Sequence, residues 1–247
     1  MKYSIVVAAF LVCCWLQTAI GSVQNDIAMA NKAGHAVFLI VTEPGNPDEA
    51  KALAIAKEAQ TLHPKVVLIT MNRADKENKS LVDKYGLAGA PLPAIVVIAS
   101  NGALAGGALM SEATSEGLIA MIPSQKKADV LKNMQDGKSV FLVVTKKSHQ
   151  KKEVLGKCRI ACSDMNNNAS IVEVDFDDAS EKRFLSDLKI NQIQDEPQTF
   201  VINSHGQVTG SFTGTTDAKT LVATAAQKPA SGCCPPSSGK ACPPPKK

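Results

Sequence analysis

Five cysteines beyond position 150 are the side chains whose chemistry stands out in this sequence. Cys158 and Cys162 are separated by three residues, so on a helix they would share one face. Cys233, Cys234 and Cys242 lie close to the C-terminus. A thiolate is both a nucleophile and a soft metal ligand, which makes these residues candidates for thiol redox chemistry or for binding Cu(I) or Zn(II). For Cys158 and Cys162 the alternative is two small hydrophobic residues packed against a sheet.

Residues 1–21 have the pattern of a signal peptide. A positive Lys2 precedes an apolar run at residues 5–16, and small residues precede a cut before Ser22. A retained membrane anchor is the alternative, since the segment is just long enough to span a bilayer. We expect cleavage and export, either to a periplasm or by secretion, with no membrane contact beyond the signal peptide. Such a compartment permits disulfides.

The C-terminal segment, residues 229–247 together with the preceding Lys228, differs in composition from the rest of the chain. It contains six prolines, three cysteines, four lysines and no acidic residue. Proline disrupts helices and sheet ladders, so we expect an extended, flexible tail. Cleavage of the signal peptide would leave five cysteines, an odd number. At least one of them would then be free, metal-bound or paired with a second chain, as in a dimer linked through the tail. A low-complexity tail without function is the alternative.

Composition excludes several classes of protein. Of the 247 residues, 45% are hydrophobic and 4% are aromatic, which predicts an aliphatic core. The net charge of +4 is too small to indicate nucleic-acid binding, and no basic run is interleaved with aromatic residues. The sequence also lacks a phosphate-binding loop, a paired-histidine metal motif and a nucleophile elbow. A hydrolase or a transferase is therefore not supported.

The body of the chain consists of two tandem copies of a unit of about 100 residues. The apolar run that starts at Val37 returns at Val140, a shift of 103, and Pro93 matches Pro197 at a shift of 104. Each unit reads as strand, helix, strand, helix, two strands and helix. The strands are predicted at 36–42, 66–71 and 94–99 in the first unit, and at 139–145, 170–176 and 198–203 in the second. Asn101-Gly102 and His205-Gly206 predict hairpin turns leading to a fourth strand and to final helices near 114–122 and 217–227.

This order of elements, with a proline just before the third strand, resembles the thioredoxin-like family, twice in tandem over residues 25–125 and 128–228. The resemblance implies an α/β fold with two domains, 22–125 and 126–228. In the family the proline at this position is usually cis. The resemblance therefore implies that Pro93 and Pro197 are cis and border a groove at the start of the first helix. In the second unit the residues at that helix start are Lys147, Ser148 and His149.

The sequence departs from the family at the redox motif. Relatives that exchange disulfides carry Cys-x-x-Cys where the first helix begins, because the helix dipole lowers the pKa of the attacking thiol. Here the matching stretches are 44–47 and 147–150, and neither contains sulfur. The resemblance to redox-inactive relatives implies a groove that binds another polypeptide. The spacing of Cys158 and Cys162 resembles that of the copper-handling branch of the family, but it lies two turns further into the helix, where Ile55 and Ala59 are the expected counterparts.

Two functions follow from these patterns. The first is an exported scaffold of two thioredoxin-like domains that binds a protein partner, has no cofactor and is not an enzyme. The second is a thiol-redox or copper-type protein that uses Cys158, Cys162 and the tail cysteines.

Overall fold

The computed structural model describes residues 22–147 and 151–227, which form two four-stranded sheets, each with helices on both faces. The elements of the first unit are α1 (Val23–Lys32), β1 (Ala36–Thr42), α2 (Glu49–Leu62), β2 (Val66–Asn72), α3 (Lys79–Lys84), β3 (Ala94–Ile98), β4 (Leu104–Leu109) and α4 (Ser115–Met121). Those of the second unit are α5 (Gln125–Gln135), β5 (Ser139–Thr145), α6 (Lys152–Asp164), β6 (Ala169–Asp175), α7 (Lys182–Asp187), β7 (Gln198–Ile202), β8 (Val208–Thr213) and α8 (Ala218–Ala225).

The strand order confirms the predicted topology in both units. It is β2-β1-β3-β4 in the first sheet and β6-β5-β7-β8 in the second. The first two strands of each unit are parallel, and the last two form an antiparallel hairpin. Gly102 and Gly206 close these hairpins with φ of 82° at both positions, a conformation that glycine adopts without steric cost.

Each central strand is buried on both faces. Along β1 the odd-numbered side chains from Val37 to Val41 pack against α1 and α3, while Phe38 and Ile40 pack against α2 and α4. In β5 the same alternation directs Val140, Leu142 and Val144 toward α5 and α7, and Phe141 and Val143 toward α6 and α8. Strands covered on both faces have continuous apolar sequences, which is why these two runs were recognisable as a repeat.

A helix precedes the first strand of each unit, and the sequence did not predict it. In α1, Ile27 and Ala30 are the buried residues, and in α5 they are Ala128 and Val130. Two apolar positions in a helix of 10 or 11 residues are too few to produce a recognisable helical period. Both helices cover the sheet face shared with the third helix of their unit.

Helix α5 also joins the two units. Its last residue, Gln135, accepts a hydrogen bond from the Leu104 backbone N–H at 2.9 Å and donates to the Leu104 carbonyl at 2.7 Å. Ala128 of α5 packs with Ala99 and Ala103 of the first hairpin. At the other end of α5, the Glu181 carboxylate accepts from Ser124 Oγ at 2.6 Å and from the Lys126 N–H at 3.0 Å.

The predicted signal peptide, residues 1–21, and the predicted tail, residues 229–247, lie outside the described residues. No helix among the described residues is both long enough and apolar enough to cross a bilayer.

Candidate functional site

The loops that follow β1 and β2 and precede β3 meet at one end of the first sheet. Because β3 runs antiparallel to β1 and places Ala94 opposite Val41, Pro93 lies beside the point where β1 ends. We call this end, formed by residues 43–48, 73 and 87–93, the proline edge of the first domain. The second domain has the same arrangement, with Gln198 opposite Val144 and Pro197 just before β7.

Both prolines predicted to border the groove are buried. The Leu92–Pro93 peptide bond is cis, as the resemblance implied. The bond before Pro197 is not cis, so that expectation was wrong for the second domain. The exposed surface of the first proline edge comes instead from the neighbouring loops, where Pro44, Pro47 and Pro91 are all exposed.

Arg73 ties the loops of the first proline edge together. Its Nε and Nη2 atoms donate to Glu43 Oε1 at 2.9 and 2.6 Å, which links the residues directly after β2 and β1. Its Nη1 atom donates to the carbonyl oxygens of Leu87 at 3.3 Å and Ala90 at 2.6 Å. A charged group with several hydrogen-bond partners fixes the loop that leads to Pro93. Arg73 therefore links the residue before Pro44 to the residue before Pro91.

The second proline edge uses a different pair of side chains at the same positions. Lys146 occupies the place of Glu43, and Phe176 occupies that of Arg73, each 103 residues later. The Lys146 Nζ atom lies 5.8 Å from the centroid of the Phe176 ring and 3.4 Å from the Ile193 carbonyl oxygen, to which it donates. A cation over an aromatic face is attracted by the ring quadrupole.

Of the remaining predicted groove residues of the second domain, the structure describes Lys147 only. Lys147 is exposed directly after β5 and Lys146. Ser148 and His149 lie outside the described residues, so their part in a groove stays a prediction. Gln194, Asp195 and Glu196 are exposed beside Pro197 and give this edge a polar surface, in contrast to the proline surface of the first domain.

Cys158 and Cys162 lie in the middle and near the end of α6, away from either proline edge. Cys158 has 0% exposure and packs among Phe141, Val201 and Leu221, whereas Cys162 is half-buried, and both are free thiols. Burial raises the pKa of Cys158 to about 11, with a further increase from Cys162, against a hydrogen bond with Thr199 that lowers it. Burial also raises the pKa of Cys162. Both groups are therefore neutral thiols at physiological pH, the form that is a poor nucleophile and a poor ligand.

The helix register differs from the sequence alignment at this point. The buried positions of α2 are Ala52, Ala56 and Ala59, and Cys158 matches Ala56 in burial, not Ile55. Leu155 lies 103 residues after the buried Ala52, whereas Cys158 and Ala161 lie 102 residues after the buried Ala56 and Ala59. Cys158 thus replaces an alanine that faces the sheet.

The predicted tail site, formed by Cys233, Cys234 and Cys242, lies outside the described residues. Within residues 22–147 and 151–227, no group of three or more His, Cys, Asp or Glu side chains is placed to hold a metal ion. Cu(I) or Zn(II) binding by the tail stays a prediction.

Sequence reasoning missed Glu43, Arg73 and Lys146. Each directly follows the last residue of a parallel strand, which is a position where polar side chains collect at one end of a sheet. The position after a strand could have identified these residues as members of a site. It could not have shown which loop carbonyl Arg73 or Lys146 contacts.

No protein-family model matches the chain, and no curated protein matches it in sequence.

Three solved structures align with most of this chain at low sequence identity. The first two thioredoxin domains of Saccharomyces cerevisiae Eps1p are 13% identical, with a TM-score of 0.31, over 83% of this chain and 96% of that one. The N-terminal domain of the alkylhydroperoxide reductase AhpF from Enterococcus faecalis is 12% identical, with a TM-score of 0.26, over 82% and 99%. Zinc-bound human ERp44 is 9% identical, with a TM-score of 0.34, over 82% of this chain and 56% of that one. By its own strand order and connections, this chain consists of two thioredoxin-like domains in tandem.

Proposed function

We propose that the protein is an exported scaffold whose two thioredoxin-like domains bind another polypeptide and do not catalyse disulfide exchange at the usual site. The observation that carries the proposal is the position of sulfur. The residues just before α2 and α6 include no cysteine. The two cysteines of α6 are neutral thiols, of which Cys158 is buried in the core and Cys162 is half-buried. Thiol–disulfide exchange needs an accessible thiolate, which neither of these thiols supplies.

The first proline edge is the surface best suited to a polypeptide. Pro44, Pro47 and Pro91 present apolar rings whose backbone is already restricted, so little conformational entropy is lost when a partner binds. Arg73 holds the loops behind them through four hydrogen bonds. The more polar edge around Pro197, Lys147, Ser148 and His149 would give the second domain a different preference.

An insulin reduction assay with dithiothreitol tests the redox part of the proposal. We expect turbidity to develop at the rate of the buffer control, because no thiolate is available to attack the insulin disulfides. Robust catalysis would refute the scaffold function. Replacing all five cysteines of the mature chain by serine should leave the result unchanged.

Binding of an unfolded polypeptide tests the surface. Reduced and carboxymethylated α-lactalbumin is a suitable probe, since it is unfolded and cannot exchange disulfides. We expect Pro44→Glu and Pro91→Glu to weaken binding at least fivefold, while Pro64→Glu should not. Pro64 is an equally exposed proline that precedes β2, at the opposite end of the sheet. Equal affinities for all three variants would contradict a site at the proline edge.

One observation favours a second function, thiol-redox or copper-type metal handling. Cys158 and Cys162 are both free, and the charge of Cys162 contributes to the raised pKa of Cys158. The tail cysteines, Cys233, Cys234 and Cys242, could supply further thiolates. Deleting residues 232–247 should then abolish stoichiometric Cu(I) or Zn(II) binding, measured by metal content after dialysis. If the truncated protein binds as much metal as the full chain, the tail is not the site.

A further inference from the structure

A groove runs along the outer edge of β6 in the second domain. Helices α5 and α6 cover opposite faces of this sheet. Both helices and β6 line a depression at the open side of the strand. It has a volume of about 520 Å³. Its lining residues are Lys126, Asp129, Lys132 and Asn133 of α5, Leu155 and Arg159 of α6, residues 171–173 of β6, and Asn101 of the first domain. We call it the β6 groove.

The backbone of β6 presents unpaired groups to this groove. The Ser139 N–H donates to the Asn168 carbonyl at 3.0 Å, and the Phe176 N–H donates to the Thr145 carbonyl at 2.8 Å. Even-numbered residues of β6 therefore bond to β5, because a parallel ladder alternates residue by residue. The N–H and C=O groups of Ile171 and Glu173 consequently point away from β5, toward the groove.

In the first domain, side chains cover the two ends of the same edge. There, Gln60 Nε2 donates to the Val66 carbonyl at 2.8 Å and Asn78 Nδ2 donates to the Asn72 carbonyl at 2.8 Å, which covers both ends of β2. Side chains that cover a strand edge prevent pairing with another chain.

In the second domain this protection is missing. The residues 103 positions after Gln60 and Asn78 are Ser163 and Glu181, and Glu181 is instead bonded to the start of α5. Within the described ranges, no side chain hydrogen-bonds to the backbone of residues 169–175. In both copies, therefore, the middle of the strand edge has outward backbone groups, at Leu68 and Thr70 in β2 and at Ile171 and Glu173 in β6. The two edges differ in charge, because the depression along β2 is lined by Asp26 and by no Lys or Arg.

Three cations and two acidic residues, Asp129 and Glu173, line the β6 groove. Lys126 and Arg159 stand on the two sides of the groove, and in the described part of the chain neither forms a salt bridge. The Glu173 carboxylate is already paired with Lys151 Nζ at 2.8 Å. Beyond Glu173 the groove continues into a second depression of about 450 Å³. Its charged lining residues are Lys126, Lys146, Lys147 and Lys151 together with Glu173, Asp175 and Asp178.

We propose that the β6 groove binds an extended acidic segment of another polypeptide, which adds to the sheet as a fifth strand. Main-chain hydrogen bonds would join the segment to Ile171 and Glu173, and its carboxylates would lie against Lys126 on one side and Arg159 on the other. This site is separate from the proline edges and goes beyond the function proposed for them. A second copy of the chain fits less well, since pairing two β6 edges would bring the same cations together.

A charge test uses a fluorescein-labelled peptide of nine alternating Glu and Val residues. We expect Lys126→Glu and Arg159→Glu each to weaken binding at least fivefold in fluorescence anisotropy at low salt. Lys57→Glu is the matched control, since Lys57 follows the buried Ala56 of α2 as Arg159 follows Cys158. A peptide of alternating Lys and Val should not bind.

A backbone test separates strand addition from simple charge attraction. Glu173→Pro removes an outward N–H without removing a bond to β5, so it should abolish binding of the acidic peptide, whereas Glu173→Gln should not weaken it. Thr70→Pro makes the equivalent change at the edge of β2, where Asp26 and no Lys or Arg lines the depression, and it should have no effect. In the wild-type protein, the amides of Ile171 and Glu173 should become protected from hydrogen exchange when the peptide binds.

Two results would overturn the proposal. If the charge variants weaken binding but the Ile171 and Glu173 amides stay unprotected, the cations form a surface attraction and no strand is added. If these amides are protected without peptide and sedimentation shows a dimer, the edge is occupied by a second copy.

Discussion

The Arg73 guanidinium and the Lys146 ammonium reach the same loop position of their two domains from different strands. Arg73 follows β2 and donates to the Ala90 carbonyl, while Lys146 follows β5 and donates to the Ile193 carbonyl, 103 residues later. In each domain a cation thus holds the loop that leads to the buried proline. Its partner differs, being the Glu43 carboxylate in the first domain and the Phe176 ring in the second.

Replacing Arg73 by alanine should destabilise the first domain. Arg73 is 20% exposed in its side chain and makes two hydrogen bonds to a carboxylate and two to carbonyls. We expect the free energy of unfolding in urea to fall by about 1.5–3 kcal/mol, because the carbonyls lose a charged donor. Lys79→Ala, which breaks the exposed pair with Asp83, should change it by less than about 0.5 kcal/mol. Equal losses for both variants would contradict this role of Arg73.

Exchanging the pairs between domains should be partly tolerated. The double variant Glu43→Lys with Arg73→Phe reproduces in the first domain the arrangement of Lys146 and Phe176. We expect it to be more stable than the sum of the two single effects predicts, by about 1 kcal/mol, since contacting residues couple. A double-mutant cycle in urea measures this coupling, and strict additivity would show that the two edges are not equivalent.

Titration of Cys158 should make stability fall at alkaline pH. Its pKa in the folded protein is about 11, above the ordinary 9.0, so the folded state holds the proton more tightly than the unfolded state does. The stabilisation is complete below about pH 9 and is lost as the pH rises toward 11. The free energy of unfolding should therefore decrease more steeply from pH 8 to 10.5 in the wild type than in Cys158→Ala. Parallel curves would contradict the raised pKa. Alanine is a fair replacement because Ala56 fills the equivalent position.

Removing the Glu181 side chain should loosen α5. Glu181 is 2% exposed, and its carboxylate holds Ser124 and the Lys126 N–H at the start of that helix. For Glu181→Ala we expect a loss of about 1–3 kcal/mol in the free energy of unfolding and faster hydrogen exchange at the Lys126 amide. Glu181→Gln, which keeps an acceptor, should lose less. Unchanged exchange at Lys126 in the alanine variant would argue against the capping role.

The sequence predicted the bounds of strands that are covered on both faces, and it did not predict helices that bury only two apolar residues. The bounds of β1 and β5 were predicted to the residue, because both faces of these strands are covered and the sequence is apolar throughout. Helices α1 and α5 were missed because each buries two apolar residues. In burial Cys158 matches Ala56 and not Ile55, a difference that a constant shift along the sequence does not show.

The sequence alone determined the duplication, the order of strands and the absence of cysteine where α2 and α6 are entered, since these depend on residue type and spacing along the chain. The tertiary structure decided which side chains distant in the sequence come into contact. It brings Arg73 to the Ala90 carbonyl, turns Glu181 toward α5 instead of the β6 edge, and buries Cys158 deeply enough to raise its pKa. Such contacts depend on how strands pair and helices pack, and one residue of register is enough to change them.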